Sequence, residues 1–142
     1  MFIDALNLVS DAQAFGAAAV STNSIDTQLT TPGRQIGTGE PMAFAVQVDV
    51  AGTVAATKIE IISATDAALT AGILVHAVRD IPLAETVLGS IHIIGLPPGT
   101  PTQRYLGVRL TTAGGTISAT VWLAPLSMLS IPPRAYPKGF AV

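Results

Sequence analysis

Met42-Ala43-Phe44-Ala45-Val46-Gln47-Val48-Asp49-Val50 places a large apolar residue at every second position and a small or polar one between. Side chains of an extended strand point alternately to opposite faces, so this stretch predicts a half-buried strand with Met42, Phe44, Val46, Val48 and Val50 inward. Residues 57–64 repeat the pattern, with Ile59 and Ile61 opposite Lys58 and Glu60. Three further strands are predicted at 72–78, 83–88 and 90–94, separated by Asp80-Ile81-Pro82 and by Gly89. Upstream, 14–21 reads as a small-residue strand and 25–29 as a short one; Thr31-Pro32-Gly33 and Gly37-Thr38-Gly39 punctuate a loop. Residues 64–71 have room for one helical turn and no more.

Downstream, residues 104–125 predict a β-hairpin. A two-residue turn at Gly114-Gly115 needs positive φ at both positions, which glycine supplies. That register sets Leu110 opposite Ala119, Val108 opposite Val121 and Leu106 opposite Leu123, all on one face. On the other face Arg109 meets Thr120, and the Trp122 indole lies over Gly107. A slip of one residue would destroy this agreement.

Many short strands with turn signals and no long helix predict an all-β protein, a jelly-roll-like antiparallel β-sandwich over residues 15–124. Residues 1–14 read as an N-terminal arm. Residues 125–142 read as an extended Pro-rich C-terminal arm, because Pro125, Pro132-Pro133 and Pro137 forbid a central strand or helix. Met128, Leu129, Ile131, Tyr136 and Phe140 are too apolar for an idle tail, so the arm is expected to lie on its own domain or on a neighbour.

Only 11% of the 142 residues are charged, against about 25% in an ordinary soluble domain. Either uncharged residues cover the surface or another protein does. Seven basic residues and a net charge of −2 argue against nucleic-acid binding, which needs clustered Lys and Arg. The absence of cysteine excludes disulfides, thiolate metal sites and a cysteine nucleophile. Met1-Phe2-Ile3-Asp4 lacks the basic start of a signal peptide. The longest uncharged run, 110–133, is broken by Gly114-Gly115 and three prolines, so no membrane span is expected.

No catalytic motif is present. His76 and His92 sit inside strand candidates and read as ordinary strand histidines rather than metal ligands, and the carboxylates are scattered at turns. No catalytic residue, metal or cofactor is therefore expected. Arg34, Arg104, Arg109 and Arg134 carry most of the positive charge and would serve either as ion-pair contacts to a partner or as solvated surface.

Three segments, in this order and at these spacings, resemble a family of capsid cement (decoration) proteins of tailed bacteriophages. They are Asp11-Ala12-Gln13-Ala14 followed by Ser21-Thr22-Asn23-Ser24-Ile25-Asp26; Gly37-Thr38-Gly39-Glu40-Pro41; and Leu96-Pro97-Pro98-Gly99 with Arg104-Tyr105-Leu106 before Gly114-Gly115-Thr116. The resemblance implies a jelly-roll-like fold without enzymatic activity. It also implies an oligomer on the outer surface of the virion capsid, made in the bacterial host cytoplasm, that clamps neighbouring major capsid proteins of the HK97-type fold. A homo-oligomer is expected, a dimer on a local two-fold in preference to a trimer. The expected contacts to capsid or sister subunits are Phe2, Ile3 and Leu6 in one arm and Ile131, Arg134, Tyr136 and Phe140 in the other; Gly107, Gly114, Gly115 and Trp122 are expected to shape the hairpin. The other reading is a β-sandwich binding carbohydrate, or a tail-fibre module, using Trp122 and Tyr105 on one outer face.

Overall fold

The computed structural model describes residues 5–27, 39–51, 57–97 and 103–129. They form two antiparallel sheets packed face to face. The strands are β1 (Leu8–Phe15), β2 (Ala19–Val20), β3 (Ile25–Asp26), β4 (Met42–Val50), β5 (Thr57–Ala64), β6 (Leu74–Ile81), β7 (Ile91–Gly95), β8 (Tyr105–Thr112) and β9 (Ile117–Pro125); a short helix, α1 (Leu126–Leu129), closes the described chain. One sheet has the order β1-β9-β4-β7, and the other β2-β8-β5-β6, with β3 also on β8 beside β2.

The pairings are nested: β1 with β9, β2 and β3 with β8, β4 with β7, β5 with β6. A chain folded once into a long double strand and then rolled gives this pattern, which is a jelly roll. The core lies between the sheets. Phe44, Val46 and Val48 of β4 and Ala119, Val121 and Leu123 of β9 meet Ile59 and Ile61 of β5 and Leu106, Val108 and Leu110 of β8.

The β4 and β5 predictions agree with the structure at both ends. Val50 does not point inward as the alternation required. It is 60% exposed, because a register shift between Val48 and Val50 turns it outward.

The 104–125 hairpin is overturned. Gly114 and Gly115 do adopt positive φ, 89° and 79°. The two strands they join enter opposite sheets: β8 pairs with β5, β2 and β3, and β9 pairs with β1 and β4. The six apolar residues of the predicted pairs all lie in the core, but they approach it from opposite sheets. Alternation identifies the face that is buried; it does not say which strand completes the ladder. Nested pairing puts β8 and β9 in different sheets, so the jelly roll and the hairpin exclude one another.

Trp122 therefore does not cover Gly107. A Cβ on Gly107 would stand 2.4 Å from Leu69 Cδ1 and 2.8 Å from Ser21 Oγ, so its bare backbone admits the 64–71 turn instead. That turn is organised by Asp66, whose carboxylate accepts from the Thr70 hydroxyl (2.6 Å), the Ala71 N–H (2.8 Å) and the Thr70 N–H (2.9 Å). These bonds, the Thr70 hydroxyl first, hold the Asp66 pKa below its usual value.

Other boundaries shift. Residues 8–14, read as part of an arm, belong to β1 at the sheet edge. Register shifts between Leu8 and Ser10 and between Ser10 and Gln13, with Ala12 at φ 44°, erase the two-residue period that would have revealed it. The predicted 14–21 strand is the end of β1, a turn and β2. The 83–88 strand is a 3-10 turn, Leu83–Glu85, leading into a loop, and β6 runs on through Asp80 and Ile81. Pro125 ends β9 and is followed by helix α1 within the predicted extended arm. The rest of that arm and of the 28–38 loop lies outside the described residues.

Candidate interaction surface

Among the described residues, seven of the ten exposed large apolar side chains lie at or beside the two ends of the β1-β9-β4-β7 sheet, and three lie on β6 of the other sheet. At one end β9 runs out at Pro125 opposite Met42, and the Leu126 N–H donates to the Pro41 carbonyl (2.8 Å). The Ser127 hydroxyl donates to Glu40. Leu8 lies opposite Trp122, so the turn before β1 and the helix after β9 stand side by side. Leu6, Leu126 and Met128 are all exposed there.

Trp122 is buried on the outer face of this sheet, with Ala43, Ala45 and Leu129, and with Leu8, Ile91, Ile93 and Ala124 packed around them. Its indole Nε1 is buried with no hydrogen-bond partner among the described residues. Tyr105 is on the other sheet, where its ring stacks on the Arg104 guanidinium, 5.1 Å to the centroid. The two aromatics expected to share an outer face are thus on opposite sides of the sandwich.

At the far end, the β4–β7 ladder continues past its last paired residues: the Val48 N–H donates to Ser90 O (2.9 Å) and the Gly89 N–H to Val48 O (2.8 Å). Val50, Leu83, Val87 and Leu88 are all exposed, Leu88 by 73%. The loop that carries them is tied from within. Thr86, 1% exposed, donates from its hydroxyl to Leu83 O (2.8 Å), and its N–H bonds the same carbonyl (3.1 Å). His92 Nε2 lies 3.1 Å from both Ser90 Oγ and Glu85 O. Burial lowers the His92 pKa, partly opposed by the Glu85 carbonyl bond. A third group, Leu74, Val75 and Val78, is exposed along the edge strand β6.

Among the described residues, most charged side chains are engaged inside the chain. Arg104 grips Asp26 through Nε and Nη2 (3.0 and 2.9 Å), Arg109 pairs with Glu60 at 2.6 Å, and Arg79 donates to Ile93 O at 2.5 Å. His76 pairs with Ser63 Oγ at 2.7 Å. Among the described residues, no three His, Cys, Asp or Glu side chains converge as a metal site would require.

Of the expected contacts, Leu6 is described and exposed, whereas Phe2, Ile3, Ile131, Arg134, Tyr136 and Phe140 lie outside the described residues. Sequence reasoning missed Leu83, Val87 and Leu88 because it read 83–88 as a strand. The available signal was the flanking Pro82 and Gly89, which mark a loop. Aliphatic residues on a loop are exposed by default.

No helix among the described residues is long and apolar enough to cross a membrane. A search of curated proteins found no match to the chain. The Bbp16 family profile matches residues 9–125, from the second residue of β1 to the last of β9, and the chain belongs to this phage-associated family.

Proposed function

We propose that this protein is a non-enzymatic structural protein of the virion, a cement protein that binds the outside of a phage head and clamps neighbouring major capsid subunits. The family match across the whole jelly roll carries this reading. The sparse charge and the exposed aliphatic residues at both ends of one sheet support it. So does the end of that sheet where Ala5 opens and Leu129 closes the described chain, since both terminal segments attach there.

The mechanism is mechanical. A rigid sandwich spans a junction between capsid subunits and buries apolar area on each. Many copies stabilise the shell by mass action, because they bind the assembled state and not its dissociated parts. A dimer would double the contacts of each clamp.

The test is co-sedimentation of the purified protein with expanded heads that lack it, followed by heating of the particles. Saturable binding with a raised disruption temperature is expected. Absence of binding to heads would overturn the proposal. The carbohydrate-binding reading loses its geometric basis, because Trp122 is buried and Tyr105 is on the opposite sheet.

A further inference from the structure

Strand β6 is held from one side. Among the described residues its single ladder partner is β5. That ladder breaks between Ile61 and Ile62: Ile61 faces Ala77, Ile62 faces Val75, and His76 is the extra residue of a bulge, outside the ladder. The His76 side chain supplies what the ladder lacks there. Its Nε2 lies 2.7 Å from Oγ of Ser63 on β5, and the same Oγ accepts the Gln103 N–H (3.0 Å) at the approach to β8. We propose that this pair is an acid-released staple: neutral His76 pins the bulge of β6 to β5, and protonated His76 lets go of it.

The hydrogens carry the argument. Ser63 is fully buried, and its Oγ has these two partners among the described residues. A serine hydroxyl has one proton to give. Gln103 is itself the donor in its bond, so that proton goes to His76 Nε2, which accepts it. His76 is therefore neutral and carries its own ring proton on Nδ1. Protonation adds a hydrogen at Nε2, and two hydrogens then face each other in one short bond. The hydroxyl has to turn, and its proton has no other partner in the buried site among the described residues. His76 is only half-buried, so the charged ring has water to move into.

The charged and titratable groups on the neighbouring elements are engaged elsewhere. On β5, Glu60 is held by Arg109, and Lys58 lies opposite Asp80 of β6. On β7, His92 Nε2 lies against Ser90 Oγ and Glu85 O. Before β8, Arg104 is held by Asp26, and on β6 itself Arg79 donates to Ile93 O. Burial lowers the His76 pKa below its usual value near 6.5. The staple is thus closed at neutral pH and opens as pH falls through that depressed value.

Two measurements on the full-length protein test this. Nitrogen-15 spectra of the ring at pH 7.5 should place the His76 proton on Nδ1; a proton on Nε2 would overturn the proposal. Amide hydrogen exchange, corrected for its intrinsic pH dependence, then follows the opening. Protected amides between Leu74 and Val78 should lose up to about tenfold of their protection per pH unit below the His76 midpoint, the limit for one proton, with no matching loss in β4. The onset should coincide with the titration of the His76 ring, read in the parent chain from its Cε1 proton, and His76→Gln should abolish the pH dependence. Protection in β6 that does not change with pH, an onset that follows His92 instead, an equal loss in β4, or a dependence that survives in His76→Gln would each overturn it. The ring spectra and the onset are read in the parent, so they decide the matter even where the variant does not fold.

Discussion

Gly107 shows what a single missing side chain does in this fold. Its strand is packed on the outer side by Leu69, a residue that is 1% exposed and held at φ 57°. The Ser21 hydroxyl donates to Asn23 O and accepts the Val108 N–H beside it. Gly107→Ala would set a methyl group 2.4 Å from Cδ1 of the buried Leu69 and 2.8 Å from Ser21 Oγ, so both side chains must shift. Overpacking of this kind costs about 1–3 kcal/mol. The urea midpoint should fall at unchanged slope; an unaltered midpoint would show that the 64–71 turn is not packed on β8 as described. Ala12 is the converse case. It sits at φ 44° in the β1 bulge, clipped by its N–H to Thr120 Oγ1 (2.9 Å) and its carbonyl to the Ser118 hydroxyl (2.9 Å). An L-residue in the left-handed region is strained, and glycine is not. Ala12→Gly should therefore raise stability by about 1 kcal/mol, and thermal unfolding in which it lowers the midpoint would contradict the assigned bulge.

At the scale of elements, the loop between β6 and β7 joins packing to pH. Burial holds His76 and His92 below their usual value near 6.5. The unfolded chain thus takes up protons at a higher pH than the folded one, and stability rises with pH across that interval. Stability should be complete above about pH 6.5 and decline as pH falls through 6.5 toward the depressed folded values. Chemical denaturation at pH 7.5 and 5.5 measures the decline, and His92→Gln should flatten part of it; equal pH dependence in parent and variant would remove His92 from the account. The same elements show what could be read from sequence. The extents of β4 and β5 were legible because each has a ladder partner on both sides, and the inward face of β4 was legible as far as Val48, where a register shift turns Val50 outward. β1 was not, because two register shifts break its period. The 83–88 segment, Leu83-Ala84-Glu85-Thr86-Val87-Leu88 between Pro82 and Gly89, has no two-residue alternation, and it forms a 3-10 turn and a loop. The faces of β8 and β9 were legible and their partners were not: side-chain period encodes burial, and only the path of the whole chain decides which edges pair.

At the scale of the molecule, the terminal end of the sheet yields the most discriminating prediction. Leu129 of α1 packs with Trp122, the single tryptophan of the chain, so that residue reports on this corner by fluorescence. A chain ending at Pro125 loses Leu129 and uncovers the indole; its emission should shift to the red and its stability fall by about 2–3 kcal/mol, the worth of one buried leucine. A chain ending at Leu129 keeps that contact and should retain the parent's emission and thermal midpoint. It lacks Ile131, Arg134, Tyr136 and Phe140, the residues that the cement reading assigns to the capsid. With one attachment end gone, loss of avidity lowers apparent affinity for heads by at least about a hundredfold. The expected pattern is thus a chain ending at Leu129 that is fully folded and barely bound to heads. Parent-like head binding by that chain would show that the C-terminal segment is no arm, and would leave the aliphatic ends of the sheet as the attachment surfaces.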